Sequence, residues 1–200
     1  MPTAAPRPGR RERNKQDKLD RITAAARELF TEFGVDDVTT QQIADKADIG
    51  TGTLFLYART KAELLLLVQN SAYADALVRG TAAAERAAGT LDAVMAILRP
   101  VVECNRVQVD NGRTYLREIV FGDPGEPHHR DALGYTIETE KAVAGVLQRR
   151  EGLGPDAAAT LAHVVSAVMF VTLAVTANAA KGVEELLAEI TAQLRAILPG

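Results

Sequence analysis

Apolar residues recur at three- and four-residue spacing along most of this 200-residue chain, and the interruptions carry turn chemistry. Leu19, Ile22, Ala26, Leu29, Phe30 and Phe33 form one stripe. They predict a first amphipathic helix starting near Asn14, with Asp17 at capping-box distance, and stopped by Gly34, with Val35 as the apolar follower. Thr39 and Gln42 repeat that capping spacing, so a second helix starts at about Thr40, with Ile43, Ala44 and Ala47 as its small apolar face. Asp48 tolerates the left-handed backbone that a sharp reversal needs, Ile49 can bury itself in the turn, and Gly50 removes side-chain obstruction. A further helix is expected over residues 51–58, and Thr60 with Glu63 opens a longer one. Two short helices joined by a tight turn make a helix-turn-helix.

The long helix from Thr60 is expected to reach about Arg79 and to continue past Gly80 through the Ala-rich stretch. Thr90 can cap the next helix, which Pro100 should kink or divide, and Asn111-Gly112 reads as a turn. Residues 122–127 are rich in Gly and Pro and predict a loop; a helix from about His129 to Arg150 follows. Pro155 is placed as the first residue of an apolar helix that carries no formal charge from Leu161 to Ala180. This segment is long enough to cross a bilayer, but Ser166, Thr172, Thr176, Asn178 and His163 dilute it, so a core or dimer-interface helix is the preferred reading. Residues 183–198 complete an all-α chain.

Composition agrees with that class. Hydrophobic residues make up 47% of the chain, aromatics only 4% and Trp is absent, which favours a helical globular protein over sheet or disorder. The single Cys104 excludes an intrachain disulfide and a two-Cys metal site, and no secretory signal is visible, so a reduced cytoplasmic setting is expected. Net charge is only −3, yet its distribution is uneven: residues 1–27 hold eight Arg/Lys against three Asp/Glu, while residues 62–200 hold twelve against seventeen. Positive charge therefore lies beside the helix-turn-helix, where a phosphate backbone would need it.

The run TTQQIADKADIGTGTLFLYARTKAELL resembles the DNA-binding signature of the tetracycline-repressor (TetR) family of bacterial transcription regulators, and RITAAARELFTEFGVDDVTT resembles the helix and link before it. The resemblance covers about the first third of the chain. Residues 1–13, a basic arm with three Pro and no apolar periodicity, are expected to be disordered or to fold only onto a partner, and the resemblance implies a three-helix DNA-binding domain at 14–60 and a larger helical ligand-binding and dimerisation domain at 61–200. It also implies double-stranded operator DNA as a partner, a small-molecule effector, and a homodimer formed through the last two helices. Thr40, Gln41, Thr51, Gly52, Thr53, Tyr57 and Lys61 match positions that touch DNA in the family. By that likeness Thr40, Tyr57 and Lys61 would hold phosphates, whereas Gln41 and Thr51 would reach base edges. Gly50, Phe55 and Ala58 depart from the family pattern and imply a modest affinity per half-site.

In the second region polar or aromatic residues interrupt apolar faces at Tyr73, Arg106, Tyr115, Arg117, Glu118, Phe170 and Asn178, which makes them the candidates for an effector pocket. His128 and His129 read as loop-edge surface residues, His163 as a hydrogen-bonded core or interface residue, and Cys104 as a small buried hydrophobe. No nucleophile, metal or phosphate-loop signature stands out, so neither a cofactor nor an enzyme activity is expected. The rival readings are a membrane-associated protein anchored by 161–180 and a small helical enzyme whose site assembles only on folding.

Overall fold

The computed structural model describes residues 9–198, and among them the chain is all-helical, with no strand. It divides into two compact units, the first ending at Val68 and the second beginning at Gln69. Helix α4 (Lys61–Ala84) is one continuous element running through that boundary.

The first unit contains α1 (Arg10–Phe33), α2 (Thr40–Lys46), α3 (Thr51–Leu54) and the start of α4. Ile22, Ala25, Ala26 and Phe30 of α1 pack with Val35, Val38, Ile43, Ala44, Leu54, Ala58, Leu64 and Leu65 into one core. The expected stripe on α1 is therefore real except at its end, where Phe33 is 51% exposed. Of the arm expected over 1–13, residues 1–8 lie outside the described residues. Arg10 to Arg13 are already helical, because Gly9 accepts from the Arg13 amide and Arg is a good helix former. Helix α3 is also shorter than expected. Thr51, Gly52 and Thr53 have weak helix propensity, and after Leu54 the chain tightens into three-residue turns, Leu56 N–H to Thr53 O and Tyr57 N–H to Leu54 O.

The second unit holds most of α4 with α5 (Thr90–Asn105), α6 (Val109–Phe121), α7 (Pro127–Glu151), α8 (Pro155–Ala174), the 3-10 turn Thr176–Asn178 and α9 (Val183–Ile197). Val94, Ile97, Leu98, Val102, Tyr115, Val143, Leu147, Val165, Met169, Leu173, Leu186 and Ile190 are among its fully covered core residues. Pro127 and Pro155 each open a helix as N1 residues, where the missing N–H costs nothing.

Two glycines set how closely helices approach. Pro100 does not divide α5; it removes the donor that would have served the Ala96 carbonyl, and α4 meets α5 at this place with Gly80. A Cβ on Gly80 would stand 2.7 Å from the Ile97 oxygen and 3.0 Å from that of Ala96. Gly112 is tighter still, since its Cβ would fall 2.0 Å from the Asn105 carbonyl oxygen. Asn111-Gly112 is consequently no turn but the first turn of α6, capped by the Gln108 side chain accepting from the Asn111 amide at 2.7 Å. The glycine is there for backbone approach and not for a reversal.

The apolar helix expected to reach Ala180 ends at Ala174. Val175 is extended, and the Asn178 side chain turns back to donate to the Thr172 carbonyl at 2.8 Å. The Arg106 guanidinium holds the resulting turn by donating to the carbonyls of Asn178, Ala179 and Lys181. By length and composition α8 could cross a membrane, with a mean hydropathy of 1.9, but seven of its residues, Ala158, Ala162, Val165, Ser166, Met169, Thr172 and Leu173, are buried against other helices. Its largest contact is with α7.

Gly112→Ala is expected to destabilise the protein by about 2–3 kcal/mol through overpacking. Gly134→Ala, in the middle of α7 with nothing within 4 Å of its missing Cβ, should instead stabilise by about 0.5–1 kcal/mol. Denaturant unfolding of the two variants measures both signs.

Candidate nucleic-acid interface and effector region

The helix-turn-helix geometry is built from local bonds. The Thr39 amide donates to Gln42 Oε1 at 2.7 Å and the Gln42 amide donates to Thr39 Oγ1 at 3.2 Å, closing the capping box. After Ala47 the chain reverses at Asp48, whose φ of 53° makes it the sole non-glycine residue with positive φ among those described. The Ile49 amide reaches back to the Ala44 carbonyl, and the Glu63 amide donates to Thr60 Oγ1 at 3.0 Å where α4 begins. Ile49 is half-buried against the core of the first unit.

This arrangement brings together side chains ten residues apart. Thr51 Oγ1 donates to Gln41 Oε1 at 2.7 Å, while Gln41 Nε2 donates to Asp45 at 2.7 Å. Gln41 and Gly52 are exposed, and Thr40, Thr51 and Thr53 are half-buried. Lys61 Nζ donates to the Asp36 carbonyl at 3.1 Å, and the Tyr57 hydroxyl donates to the Lys15 carbonyl at 3.3 Å. Phe55 is 44% exposed, whereas Ala58 is buried in the core.

A concavity of about 800 Å³ lies beside Tyr57 and is lined by Arg10, Arg11, Glu12, Asn14, Lys15 and Lys18. These basic residues were not among the individual candidates. Arg11, Lys15 and Lys18 sit at i, i+4 and i+7, so their shared face was legible once the helix was taken to begin at Arg10.

The seven effector candidates of the second unit do not form one lining. Tyr73 and Tyr115 are buried with ring centroids 6.3 Å apart, and Tyr73 lies 6.2 Å from Tyr135. Tyr115 donates to Asn70 Oδ1 at 2.9 Å, and the Tyr73 hydroxyl shares a 3.1 Å hydrogen bond with Thr139. Burial pushes the Tyr73 phenol up to about 12 and the Tyr115 phenol well above its ordinary value. Arg106 and Asn178 meet at the turn after α8, Phe170 is half-buried, and Arg117 is exposed beside Glu118 at 3.4 Å. The groove between α4, α5 and α9, about 780 Å³ in volume, contains none of the seven; Arg79, Met95, Arg99, Glu103, Glu184 and Arg195 are among its walls. An Arg99–Glu184 pair spans it at 2.5 Å. Helical spacing selected the residues but could not say which helices lie side by side.

The histidines also differ from expectation. His129 is buried, with Nε2 3.3 Å from the Ile119 carbonyl, because α7 starts at Pro127 and carries it inward. His163 is exposed, at the edge of the α7–α8 contact, where its Nδ1 lies 2.9 Å from Glu140 Oε1 on α7. Cys104 is half-buried, and burial raises its thiol to about 11.

A short capped helix, a left-handed reversal and a second helical turn, all resting on α1, define a helix-turn-helix DNA-binding domain. Residues 22–68 match the model of the bacterial regulatory proteins, tetR family. The fold of the whole chain is similar to several solved regulators. Thermus thermophilus FadR, a TetR-family transcriptional repressor in complex with lauroyl-CoA, superposes with a TM-score of 0.70 at 21% identity, covering 91% of this chain and 96% of that one. A TetR transcriptional regulator from Rhodococcus sp. RHA1 gives 0.68 at 17% identity, covering 92% and 97%. Bacillus subtilis FadR in complex with stearoyl-CoA gives 0.62 at 15% identity, covering 90% and 99%. No curated protein matches the sequence.

Ionising Tyr73 in the folded state is opposed by burial, so its folded pKa lies above its unfolded one. Stability from this group is complete below about pH 10 and is lost as pH rises towards about 12. Unfolding midpoints measured across that window should fall, and Tyr73→Phe should flatten part of the fall.

Proposed function

We propose that this protein is a homodimeric, effector-responsive transcriptional repressor that binds a palindromic operator. The observation that carries the reading is the outward face of the helix-turn-helix, where Thr51 is joined at 2.7 Å to Gln41, an exposed residue. Gln41 and Thr51 read base edges, because an amide both donates and accepts and threonine offers a hydroxyl or a methyl. Thr40, Tyr57 and Lys61 hold phosphates and fix register, and Gly52 and Thr53 let the backbone of α3 approach the groove. The basic face of α1, with Arg11, Lys15 and Lys18, adds electrostatic attraction to the backbone.

Dimerisation through α8 and α9 is supported by Val164, Ala167, Val171 and Ala174, an exposed apolar stripe at helical spacing on α8, and by Ala188, Ala192 and Ala196 on α9. Contiguous exposed apolar surface of this kind marks an association site. A twofold axis then places the two heads on half-sites about 34–36 Å apart or a multiple of it. Effector binding in the second unit favours one spacing of the heads, and its difference in affinity for the two states sets how far DNA binding falls. Two of the similar structures hold acyl-CoA thioesters, so long-chain acyl-CoA is the first effector class to test. The setting is the cytoplasm, and the protein has no catalytic role in this reading.

The test is a duplex-binding titration against the DNA flanking its own gene, at several salt concentrations. Tight binding at low salt that weakens steeply as salt rises is the expected result, and a folded protein that leaves that duplex unshifted at low salt refutes the reading. Lys61→Ala should lower the salt slope by about 2 for the dimer, one phosphate contact in each half. Gln41→Ala should cost about 1–3 kcal/mol per base pair read and relax sequence preference there.

For the dimer, Val171→Glu places a charge in the apolar stripe and should convert the dimer to a monomer in sedimentation analysis. An unchanged dimer would move the interface elsewhere.

A further inference from the structure

We propose that Arg106 and Arg113 form a binding site for a phosphoryl group, at the junction of the end of α5, the start of α6 and the turn that links α8 to α9. This inference rests on the effector-responsive reading above and supplies the chemistry of the effector's polar end.

The two guanidiniums are brought to one place by the 3-10 turn. Arg106 Nη2 donates to the carbonyl oxygens of Asn178 at 3.3 Å, Ala179 at 2.9 Å and Lys181 at 2.6 Å. Arg113 Nη2 donates to Thr176 Oγ1 at 2.9 Å. Every acceptor in this set is neutral. Neither arginine has an ion pair among the described residues: nearby Glu103 sits with Arg99 at 3.7 Å, and Glu189 is taken by Lys181 at 2.6 Å. Carbonyls satisfy donors but leave two like charges uncompensated. Burial and then the neighbouring Arg113 charge both lower the Arg106 pKa, as an unneutralised pair requires.

Donors are also idle. Arg106 Nη1 and Arg113 Nε are covered and have no hydrogen-bond partner. A buried donor without an acceptor is costly, and a guanidinium presents its donors as a planar fork suited to two oxygens of one phosphoryl group. Asn105 and the α5–α6 approach at Gly112 fix the backbone from which both arginines project. The lid over the site is the segment 176–178, a single 3-10 turn with Thr176 and Ala177 exposed. Such a turn is a weaker element than the helices it joins. An entering phosphoryl group takes the place of the Thr176 hydroxyl on Arg113 and collects the two idle donors. Because that turn ends α8 and leads into α9, occupancy is felt by the helices assigned above to the dimer interface.

Two sources supply this chemistry, free phosphate and the phosphoryl groups of an acyl-CoA, and the experiment separates them. Thermal unfolding and calorimetric titration are run without DNA at fixed ionic strength, with chloride replaced by inorganic phosphate in one arm and with a long-chain acyl-CoA added in the other. The variant is Arg113→Gln, with Arg113→Lys beside it; Arg106 is left intact because it clamps the turn. We expect the wild type to be stabilised in at least one arm, Arg113→Gln to weaken that ligand by about tenfold or more, and Arg113→Lys to retain part of it. A purely structural arginine would shift the melting temperature equally in chloride and in ligand, leaving the difference intact. Loss confined to phosphate assigns the site to the free ion, and loss confined to acyl-CoA assigns it to the thioester's phosphoryl groups. If neither ligand distinguishes wild type from Arg113→Gln, or neither binds, the site is refuted. DNA binding of the ligand-free wild type is measured separately in chloride, so a failure of this site and a failure of the repressor reading are told apart.

Discussion

The left-handed backbone at Asp48 is the constraint on which the first unit depends. An L-residue pays for positive φ unless its side chain is short and polar, and Asp is among the few that tolerate it. With that reversal in place, the Ile49 amide closes back onto Ala44, Leu54 and Ala58 enter the core, and Thr51 comes within hydrogen-bond distance of Gln41. Without it α2 and α3 would not share an outward face. The capping box at Thr39 fixes where α2 starts, so the phase of every side chain on it is set from the first residue.

The second unit is organised by closeness of backbone instead of by turns. Gly80 lies against the α5 carbonyls exposed near Pro100, and Gly112 lies against the Asn105 carbonyl. Both positions exclude a Cβ, so the helices there pack at the distance their backbones permit. Next to that contact, the Arg106 clamp on residues 178–181 stops α8 and directs the chain into α9. Buried tyrosines with satisfied hydroxyls fill the interior between α4, α6 and α7, which explains why Tyr73 and Tyr115 act in this structure as core residues with polar handles.

These features bear on the proposed regulation. A repressor of this kind needs an element with two arrangements that an effector can bias. The most economical candidate is the short turn between α8 and α9, because it is held by hydrogen bonds from charged side chains to neutral carbonyls and not by apolar packing. Uncompensated charge at that turn makes its present arrangement sensitive to an anion, whereas the glycine-packed contacts of α4, α5 and α6 have little room to change.

Local chemistry made the all-α class, the capping boxes at Thr39 and Thr60, the reversal at Asp48 and the helix starts at Pro127 and Pro155 legible in the sequence, since each depends on residues within four positions of one another. The ordered run from Thr39 to Glu63 did the same for the helix-turn-helix, the region that the tetR family model matches. Where the sequence was misleading, the deciding partner was distant. Asn111-Gly112 looks like a turn until Asn105 is seen to need the space, and the apolar run to Ala180 looks like one helix until Arg106, some seventy residues earlier, takes its carbonyls. His129 and His163 exchanged their expected environments because only the packing of α7 on α8 says which side of each helix is inside. Spacing along the chain determines which residues share a face; it contains no information on what that face meets, and that was decided by tertiary structure alone.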